Sequence, residues 1–324
     1  MRILLAPMEG VVDHTMRTML TQIGGIDRCV TEFIRVTTNP LPSKVFYRFC
    51  PELHNGGVTA SGTPVYIQLL GGNAEPMAIN AQRAANLGAP GIDINFGCPA
   101  KTVNRNDGGS VLLQQPERLY NIVSAVRAAV PASIPVTAKI RLGFNDRSLF
   151  NDITQAIIAA NASELTIHAR TKDDGYKPPA YWEALAEINA SSPIPIIANG
   201  EIWSPADYQA CISQSGCSDI MLGRGLLSCP DLARQIKAAR GETIASAMSW
   251  LEIIDLLAQF CLVTEDMYER KYVGSRVKQW LGYLRREYDL ANELFEQIKR
   301  LKWPEEIMPM IQQHKLKYLQ LNAA

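Results

Sequence analysis

Short apolar segments recur along the first two thirds of the chain and alternate with segments of helical spacing. The apolar segments are residues 3–6, 29–36, 64–70, 91–95, 135–142, 164–169, 194–198 and 219–222. Between them, residues 116–130 place apolar side chains three or four positions apart, as an amphipathic helix requires. Eight strand-helix units over this length predict an α/β fold, a (β/α)₈ TIM barrel. A doubly wound sheet is the alternative, but no G-x-G-x-x-G sequence follows the first strand.

The pattern changes after about residue 240, where strand-like segments stop and helical periodicity continues to the C-terminus. Helices are expected over residues 249–260, 273–287, 290–301 and 305–319. Asp289 is a candidate cap for the third of these, and Pro304 suits the first turn of the fourth. We therefore predict a barrel domain over residues 1–240, followed by a small all-α helical bundle over residues 241–324.

Composition narrows the classes of protein that this sequence can belong to. The formal net charge is zero, although residues 269–324 hold 11 Lys and Arg against 7 Asp and Glu, a local excess of +4. The seven cysteines include no C-x-x-C pair, which argues against a disulfide framework or a zinc site. No apolar run reaches membrane-spanning length, and none resembles a signal peptide. We expect a cytoplasmic monomer without metal or membrane contact.

Polar or ionisable side chains lie at or near the ends of nearly all the predicted strands. They are Glu9, Arg35, Gln68, Asn95, Cys98, Lys139, Arg141, His168, Arg170, Asn199, Glu201 and Arg224. Because all strand ends of a barrel meet on one face, these side chains predict an active site there. A lysine within a strand, such as Lys139, is costly to bury without an acceptor.

A bound planar cofactor would explain several of these side chains together. The amides of Gln68 and Asn95 can read the edge of a heterocycle, and Pro7 and Met8 offer an apolar surface to its face. A cofactor phosphate would suit the ends of the seventh and eighth strands, at Asn199, Gly200, Gly223 and Arg224. The alternative is two glycine turns with a structural arginine, and His168 alone would suit a buried core histidine.

Cys98 lies in the stretch GIDINFGCPAK, residues 91–101, before a proline that restricts it to extended geometry. Its thiol could be a small buried apolar group, a nucleophile or a proton donor. No histidine or aspartate stands at a recognisable protease spacing, so covalent hydrolysis is disfavoured. Donation of a proton to carbon, as a general acid, remains open.

Several motifs together resemble the tRNA-dihydrouridine synthases, in the same order along the whole barrel. They are APMEG at 6–10, TEF at 31–33, DINFGCPAKTV at 93–103, KIRLG at 139–143, HART at 168–171, NGE at 199–201 and GRG at 223–225. Residues 276–288, together with 31–36, are similar to the bacterial C-type subfamily, which modifies uridine 16 in the D-loop. Phe96 departs from the small or sulfur-containing residue that related sequences often carry there.

The resemblance implies an enzyme that binds FMN, takes reducing equivalents from NADPH and delivers hydride to C6 of uracil in tRNA. Cys98 would protonate C5, and Asn95 and Arg170 would face the flipped uracil or its neighbouring nucleotides. Implied flavin contacts are Pro7, Met8, Glu9, Gln68, Lys139, His168, Asn199, Gly200, Glu201, Gly223 and Arg224. Further tRNA contacts are expected at Arg35, Arg141, Arg276 and Lys278.

Two other functions remain open at this point. The first is an FMN barrel that reduces a free pyrimidine or an enone, in which the helical domain would be a lid or a dimer contact. The second is an RNA-binding module that has kept the barrel without its chemistry.

Overall fold

A computed structural model of the chain describes residues 1–244 and 246–322. The chain forms two compact units. The first contains Met1–His14, Ile26–Ile202 and Ala206–Gly223, and the second contains Thr15–Gly25, Trp203–Pro205 and the chain from Arg224 onward. The division into domains at residue 240 stays a prediction.

A closed sheet of parallel strands forms the centre of the first unit, which confirms the (β/α)₈ TIM barrel. The strands are β1 (Ile3–Leu5), β2 (Arg28–Val30), β3 (Ile34–Arg35), β4 (Val65–Leu70), β5 (Ile92–Asn95), β6 (Val136–Arg141), β7 (Glu164–His168), β8 (Ile196–Asn199) and β9 (Asp219–Leu222). The sheet closes because β1 pairs with both β2 and β9, and β2 also pairs with β4.

The single strand expected over residues 29–36 was wrong, because β2 and β3 share one position in the barrel. β2 pairs with β4 through Cys29 and Val30, and β3 pairs with β4 through Ile34 and Arg35. Between them, the backbone N–H of Gln68 donates to the Thr31 hydroxyl at 3.0 Å instead of a strand carbonyl. The ladder is interrupted at Thr31 for this reason.

The barrel interior is apolar at its centre and ionic at the end where the strands begin. Leu4, Ala6, Val30, Tyr66, Ile197 and Met221 form a buried cluster. At the N-terminal strand ends, Arg2 binds Asp219 and Glu164, and Arg28 also binds Glu164. The guanidinium of Arg28 lies 4.4 Å from the centre of the Tyr66 ring. This network closes the barrel at the end opposite the predicted site.

Helices surround the barrel between its strands. They are α2 (Ser43–Phe49), α3 (Ala74–Asn86), α4 (Lys101–Asn104), α5 (Pro116–Ala129), α6 (Phe150–Ala159), α7 (Ala186–Ser191) and α8 (Pro205–Ser215). Short 3₁₀ segments lie at Pro51–Asn55, Gly109–Gln114 and Trp182–Leu185. In α5, Leu119, Ile122, Val123 and Val126 are buried, as their spacing predicts.

The second unit is entirely helical within its described residues. Its helices are α1 (His14–Ile23, from its second residue), α9 (Arg224–Ser228), α10 (Leu232–Ala239), α11 (Trp250–Met267), α12 (Arg270–Leu284), α13 (Asp289–Ile298) and α14 (Pro304–Asn322). Ser249 and Glu252 form a capping box at the start of α11. Pro304 begins α14 as predicted, but Asp289 is the first helical residue of α13 and not its cap, a position that Tyr288 occupies. Among the described helices, none combines the length and apolarity needed to cross a membrane.

A buried histidine lies in the core of this helical unit. His314 is 4 % exposed, and neither ring nitrogen has a hydrogen-bond partner among the described residues. Its ring meets the Trp250 indole edge-on at 5.9 Å. Burial lowers the pKa of His314 below its ordinary value, with Glu293 opposing and Lys317 reinforcing the shift. The folded protein therefore favours neutral His314.

We predict that His314 makes the helical unit sensitive to acid. An unfolded histidine binds a proton below a pH of about 6.5, whereas folded His314 resists it, so the free energy of unfolding falls as the pH drops below that value. His314→Leu removes the proton-binding group. Thermal unfolding of the full chain at pH 7.5 and 5.5 should show a smaller loss of stability in the variant than in the parent chain. An identical loss in both would contradict the prediction.

Candidate active site

A lysine within a barrel strand forms the centre of the polar C-terminal face. Lys139 Nζ on β6 donates to Asn199 Oδ1 at the end of β8, at 2.8 Å. Asn199 Nδ2 in turn donates to the carbonyl of Met221 on β9, also at 2.8 Å. The pKa of Lys139 is lowered to about 7, chiefly by desolvation and also by the charge of Arg141, while the charge of Asp93 partly opposes them. The ammonium is thus held in place by a neutral amide.

A chain of amide hydrogen bonds fixes the residues beside Lys139. Asn95 Nδ2 donates to Gln68 Oε1 at 2.8 Å, and Gln68 Nε2 donates to Asp93 Oδ2 at 2.7 Å. Asp93 also accepts from the Thr137 hydroxyl at 2.6 Å. Burial raises the pKa of the Asp93 carboxyl, and these two donors oppose the shift. Asp93 was not among the sequence-based candidates, although a carboxylate within an apolar strand is the same signal that marked Lys139.

Cys98 is the single cysteine of the chain's seven, all described, that is not buried. Its backbone N–H donates to Asn95 Oδ1 at 3.0 Å, and so does that of Gly97 at 2.9 Å. Its carbonyl accepts from Asn104 Nδ2 at 2.9 Å. Partial burial raises the pKa of the thiol, a backbone hydrogen bond at Ala100 opposes this, and the Glu9 charge adds to it. At neutral pH the sulfur therefore carries its proton.

His168 at the end of β7 is held by Arg170, which is fully buried. Arg170 Nη1 lies 3.4 Å from His168 Nε2, its Nε donates to the Pro179 carbonyl at 3.0 Å, and its Nη2 forms an ion pair with Glu201. Because arginine only donates, Nε2 of the imidazole must accept, which places the ring proton on Nδ1. Arg170 thus acts on the ring of His168, and its role toward uracil stays a prediction.

Arg141 and Tyr176 lie at the mouth of the barrel. Arg141 is 2 % exposed and donates to the carbonyls of Gly97, Thr171 and Gly175 at 2.8, 3.0 and 3.1 Å. The Tyr176 ring is 5.1 Å from this guanidinium and 5.9 Å from the His168 ring, yet 55 % of it is exposed. Sequence reasoning missed Tyr176, since nothing in the loop KDDGYKPP indicates where its one aromatic ring will lie.

The loop after β1 carries two more of the predicted residues. Met8 Sδ lies 3.5 Å from the point where a side chain on Gly223 would begin, so these two strand ends are close together. Glu9 reaches solvent, but partial desolvation and, to a lesser extent, the charge of Glu32 together raise its pKa to about 7. The Glu32 carboxylate accepts from the backbone N–H of Gly10. The site thus has a second group that titrates near neutrality.

Other predicted residues have contacts of their own. Arg35 is half-buried and donates to the Asn106 carbonyl at 3.2 Å. Arg224 belongs to the second unit, where its guanidinium lies 5.0 Å from the centre of the Trp203 ring. In the same unit, Lys278 Nζ donates to the Leu301 carbonyl at 2.6 Å, and Arg276 lies 4.7 Å from the Tyr268 ring. Both side chains therefore have structural contacts within the helices.

Gly200 is required for the position of the His168 ring. Its φ is +116°, and a Cβ there would lie 2.7 Å from His168 Cδ2. We predict that Gly200→Ala displaces the ring and lowers the free energy of unfolding by about 2–4 kcal/mol, from backbone strain and overpacking together. Gly62→Ala is the matched control, because Gly62 also has positive φ (+84°) but nothing within 4 Å; it should cost about 1–2 kcal/mol. If chemical denaturation showed the same loss of unfolding free energy in both variants, the predicted clash with His168 would be contradicted.

Solved structures with the same barrel support the fold. A histamine dehydrogenase from Rhizobium sp. 4-9 aligns with a TM-score of 0.55 at 15% identity, covering 74% of this chain and 46% of that one. DHODH from Eimeria tenella in complex with ferulenol aligns with a TM-score of 0.52 at 15% identity, covering 73% and 79%. At this identity the likeness concerns the fold alone.

The sequence itself has much nearer relatives. It is 51% identical over 313 residues to a tRNA-dihydrouridine(16) synthase of Shewanella oneidensis, covering 97% of this chain and 98% of the relative. It is 49% identical over 316 residues to a tRNA-dihydrouridine(16) synthase of Vibrio cholerae, covering 97% and 96%. The family model of dihydrouridine synthase (Dus) matches residues 4–318. The chain belongs to the dihydrouridine synthase family.

Proposed function

We propose that this chain reduces uridine to 5,6-dihydrouridine in tRNA, at position 16 of the D-loop, with FMN as cofactor and NADPH as reductant. Family membership and relatives named tRNA-dihydrouridine(16) synthase support the substrate. The observation that carries the mechanism is the protonated, accessible thiol of Cys98, on the same barrel face as Lys139. Since tRNA is a cytoplasmic substrate, we expect the protein to act there.

The residues present suit a flavin. Among the described residues Lys139 forms no ion pair, and burial together with the Arg141 charge lowers its pKa, so an anionic or carbonyl-rich ligand would stabilise its ammonium form. Residues that would hold the cofactor are Pro7, Met8, Glu9, Gln68, Lys139, His168, Asn199, Gly200, Glu201 and Gly223. The flavin contact that the sequence resemblance implies for Arg224 stays a prediction. When bound, FMN reduced by NADPH would supply the hydride that uracil accepts at C6.

Cys98 serves as the general acid in this proposal. Its thiol proton passes to C5 of uracil, and the thiolate that remains recovers a proton from solvent. The pKa of the thiol is raised, chiefly by burial, so the acid form predominates at neutral pH. Asn95 holds the backbone of this residue through two N–H donors, which fixes the direction from which the proton leaves.

Positioning of uracil would fall to the polar groups around the thiol. A uridine in folded tRNA must leave its stack to reach this face, at a cost of a few kcal/mol. Asn95, Arg141 and Arg170 are the proposed side chains near the base, and Arg35 is a proposed contact to RNA. Arg276 and Lys278, expected to bind tRNA, are the weaker candidates because both already have contacts within the helical unit.

Reduction of a free pyrimidine or an enone is the second candidate from the sequence, and an RNA-binding module without chemistry is the third. No contact among the residues that the structure describes favours either one. Purified protein that carries a flavin absorption band, together with loss of dihydrouridine 16 from tRNA in cells lacking the gene, would exclude both. Unchanged dihydrouridine at that position would overturn the proposed function.

Removal of the Cys98 thiol should abolish most turnover. General acids contribute about 10²–10⁴-fold, so Cys98→Ala should lower dihydrouridine formation by that factor while NADPH oxidation without tRNA continues. Cys261→Ala removes a buried thiol of the helical unit and serves as the control. Mass spectrometry of the tRNA product measures the effect. Full turnover by Cys98→Ala would remove this residue from the mechanism.

Lys139 should make flavin affinity depend on pH. The pKa of Lys139 in the protein without flavin is about 7. A flavin that prefers the charged ammonium therefore binds less tightly as the pH rises above that value. Riboflavin is the suitable probe, because the phosphate of FMN itself titrates near pH ~6. Fluorescence titration should show affinity falling by about tenfold from pH 7 to 8.5. Lys139→Gln should bind weakly at every pH, and an unchanged slope in this variant would contradict the assignment.

A further inference from the structure

Most basic side chains of the helical unit already have a partner. Arg270 is paired with Glu305, Lys271 with Glu269, Lys299 with Glu296 and Lys315 with Asp255. Arg285 donates to Asn292 Oδ1 at 2.6 Å and stacks on Phe295. Lys278 and Arg276 have the structural contacts described above. Only a few other basic side chains of this unit therefore remain available to bind an anion.

Arg286 is one of those few, and it is the one held against an aromatic ring. It follows α12 in the chain, is exposed, and its guanidinium carbon lies 3.8 Å from the centre of the Trp203 ring. Among the described residues its side chain forms no ion pair and no hydrogen bond. Arg300, Lys302 and Lys317 also lack an ion pair there, but none of them stacks on a ring. Arg286 is therefore both ordered and available.

A second guanidinium lies against the same ring. The Arg224 carbon is 5.0 Å from the Trp203 centroid, so the two cations are no further apart than these two distances added together. Like charges at such separations repel each other, although solvent reduces the cost. Stacking on an indole holds a guanidinium by its face and leaves its N–H edge directed outward. Such an edge on Arg286 suits a doubly hydrogen-bonded phosphate.

Resting on the proposed function, we infer that Arg286, held on Trp203 beside Arg224, binds a backbone phosphate of the RNA substrate. The exposed position of Arg286 suits a polyanion that arrives from solution and repeats phosphates along its length. The pair Arg270 and Trp303 provides the contrast within the same unit. There the guanidinium also lies over an indole, at 5.6 Å, but Glu305 neutralises it.

Arg286→Ala and Arg270→Ala form a matched pair of variants, since each deletes a guanidinium that lies over a tryptophan ring. Dissociation constants for unmodified tRNA should be measured with the full chain by fluorescence anisotropy at several KCl concentrations. We expect Arg286→Ala to weaken binding about tenfold and to reduce the salt slope by about 1. Arg270→Ala should leave both nearly unchanged, and Arg286→Lys, which keeps the charge without the planar fork, should lie between.

The outcomes separate the inference from the proposed function. Equal affinities for the two alanine variants, or weaker binding of Arg286→Ala with an unchanged salt slope, would overturn the phosphate contact. Weaker FMN binding with unchanged tRNA binding would overturn it too, because the anion would then be the cofactor's. If the parent chain binds tRNA but forms no dihydrouridine, the proposed function fails while the contact stands. Circular dichroism should show both variants to be folded.

Discussion

The ammonium of Lys139, held by an amide instead of a carboxylate, is the constraint on which the rest of the site depends. A cation that has lost its water and gained no counter-charge destabilises the folded chain by itself. The fold retains it because Asn199 is anchored on the backbone of the neighbouring strand. A ligand with carbonyl or anionic groups can supply the missing interaction with the ammonium, and the free energy of that interaction then favours binding. Lys139, which has an amide partner but no carboxylate partner, thus favours the binding of such a ligand.

The sequence predicted the barrel well because its evidence is local. Apolar strand segments and helical spacing are read within a dozen residues, and their alternation leaves few topologies. The site residues on strand ends followed from that topology. The break at Thr31 was not predictable, since it arises where a hydroxyl replaces a strand carbonyl as partner of Gln68. Tyr176 was missed for a related reason, because only tertiary packing brings its loop beside Arg141 and His168.

Charged residues show a similar limit of prediction from sequence, because their partners are set by tertiary structure. A sequence shows how many arginines a segment has, but not which of them the fold has already used. Arg170, expected to face substrate, is fully buried and its Nη1 lies 3.4 Å from His168 Nε2, so its role toward uracil stays a prediction. Arg276 and Lys278, expected to meet RNA, have contacts to Tyr268 and Leu301 within the helical unit, and their role toward RNA stays a prediction. Arg286, which was not among the predicted tRNA contacts, is exposed against Trp203 and forms no ion pair among the described residues.

Barrel closure has a consequence for the protein during its synthesis. The first strand finds one of its two neighbours only in the last, where Ile3 pairs with Ile220. Contacts so distant along the chain form slowly. A nascent polypeptide that has emerged only as far as Cys98 or Lys139 contains these side chains but lacks the later strand ends that orient them. Chemistry therefore begins only after β9 has been synthesised, and a chain truncated before β9 would be inert however many of its reactive residues it contained.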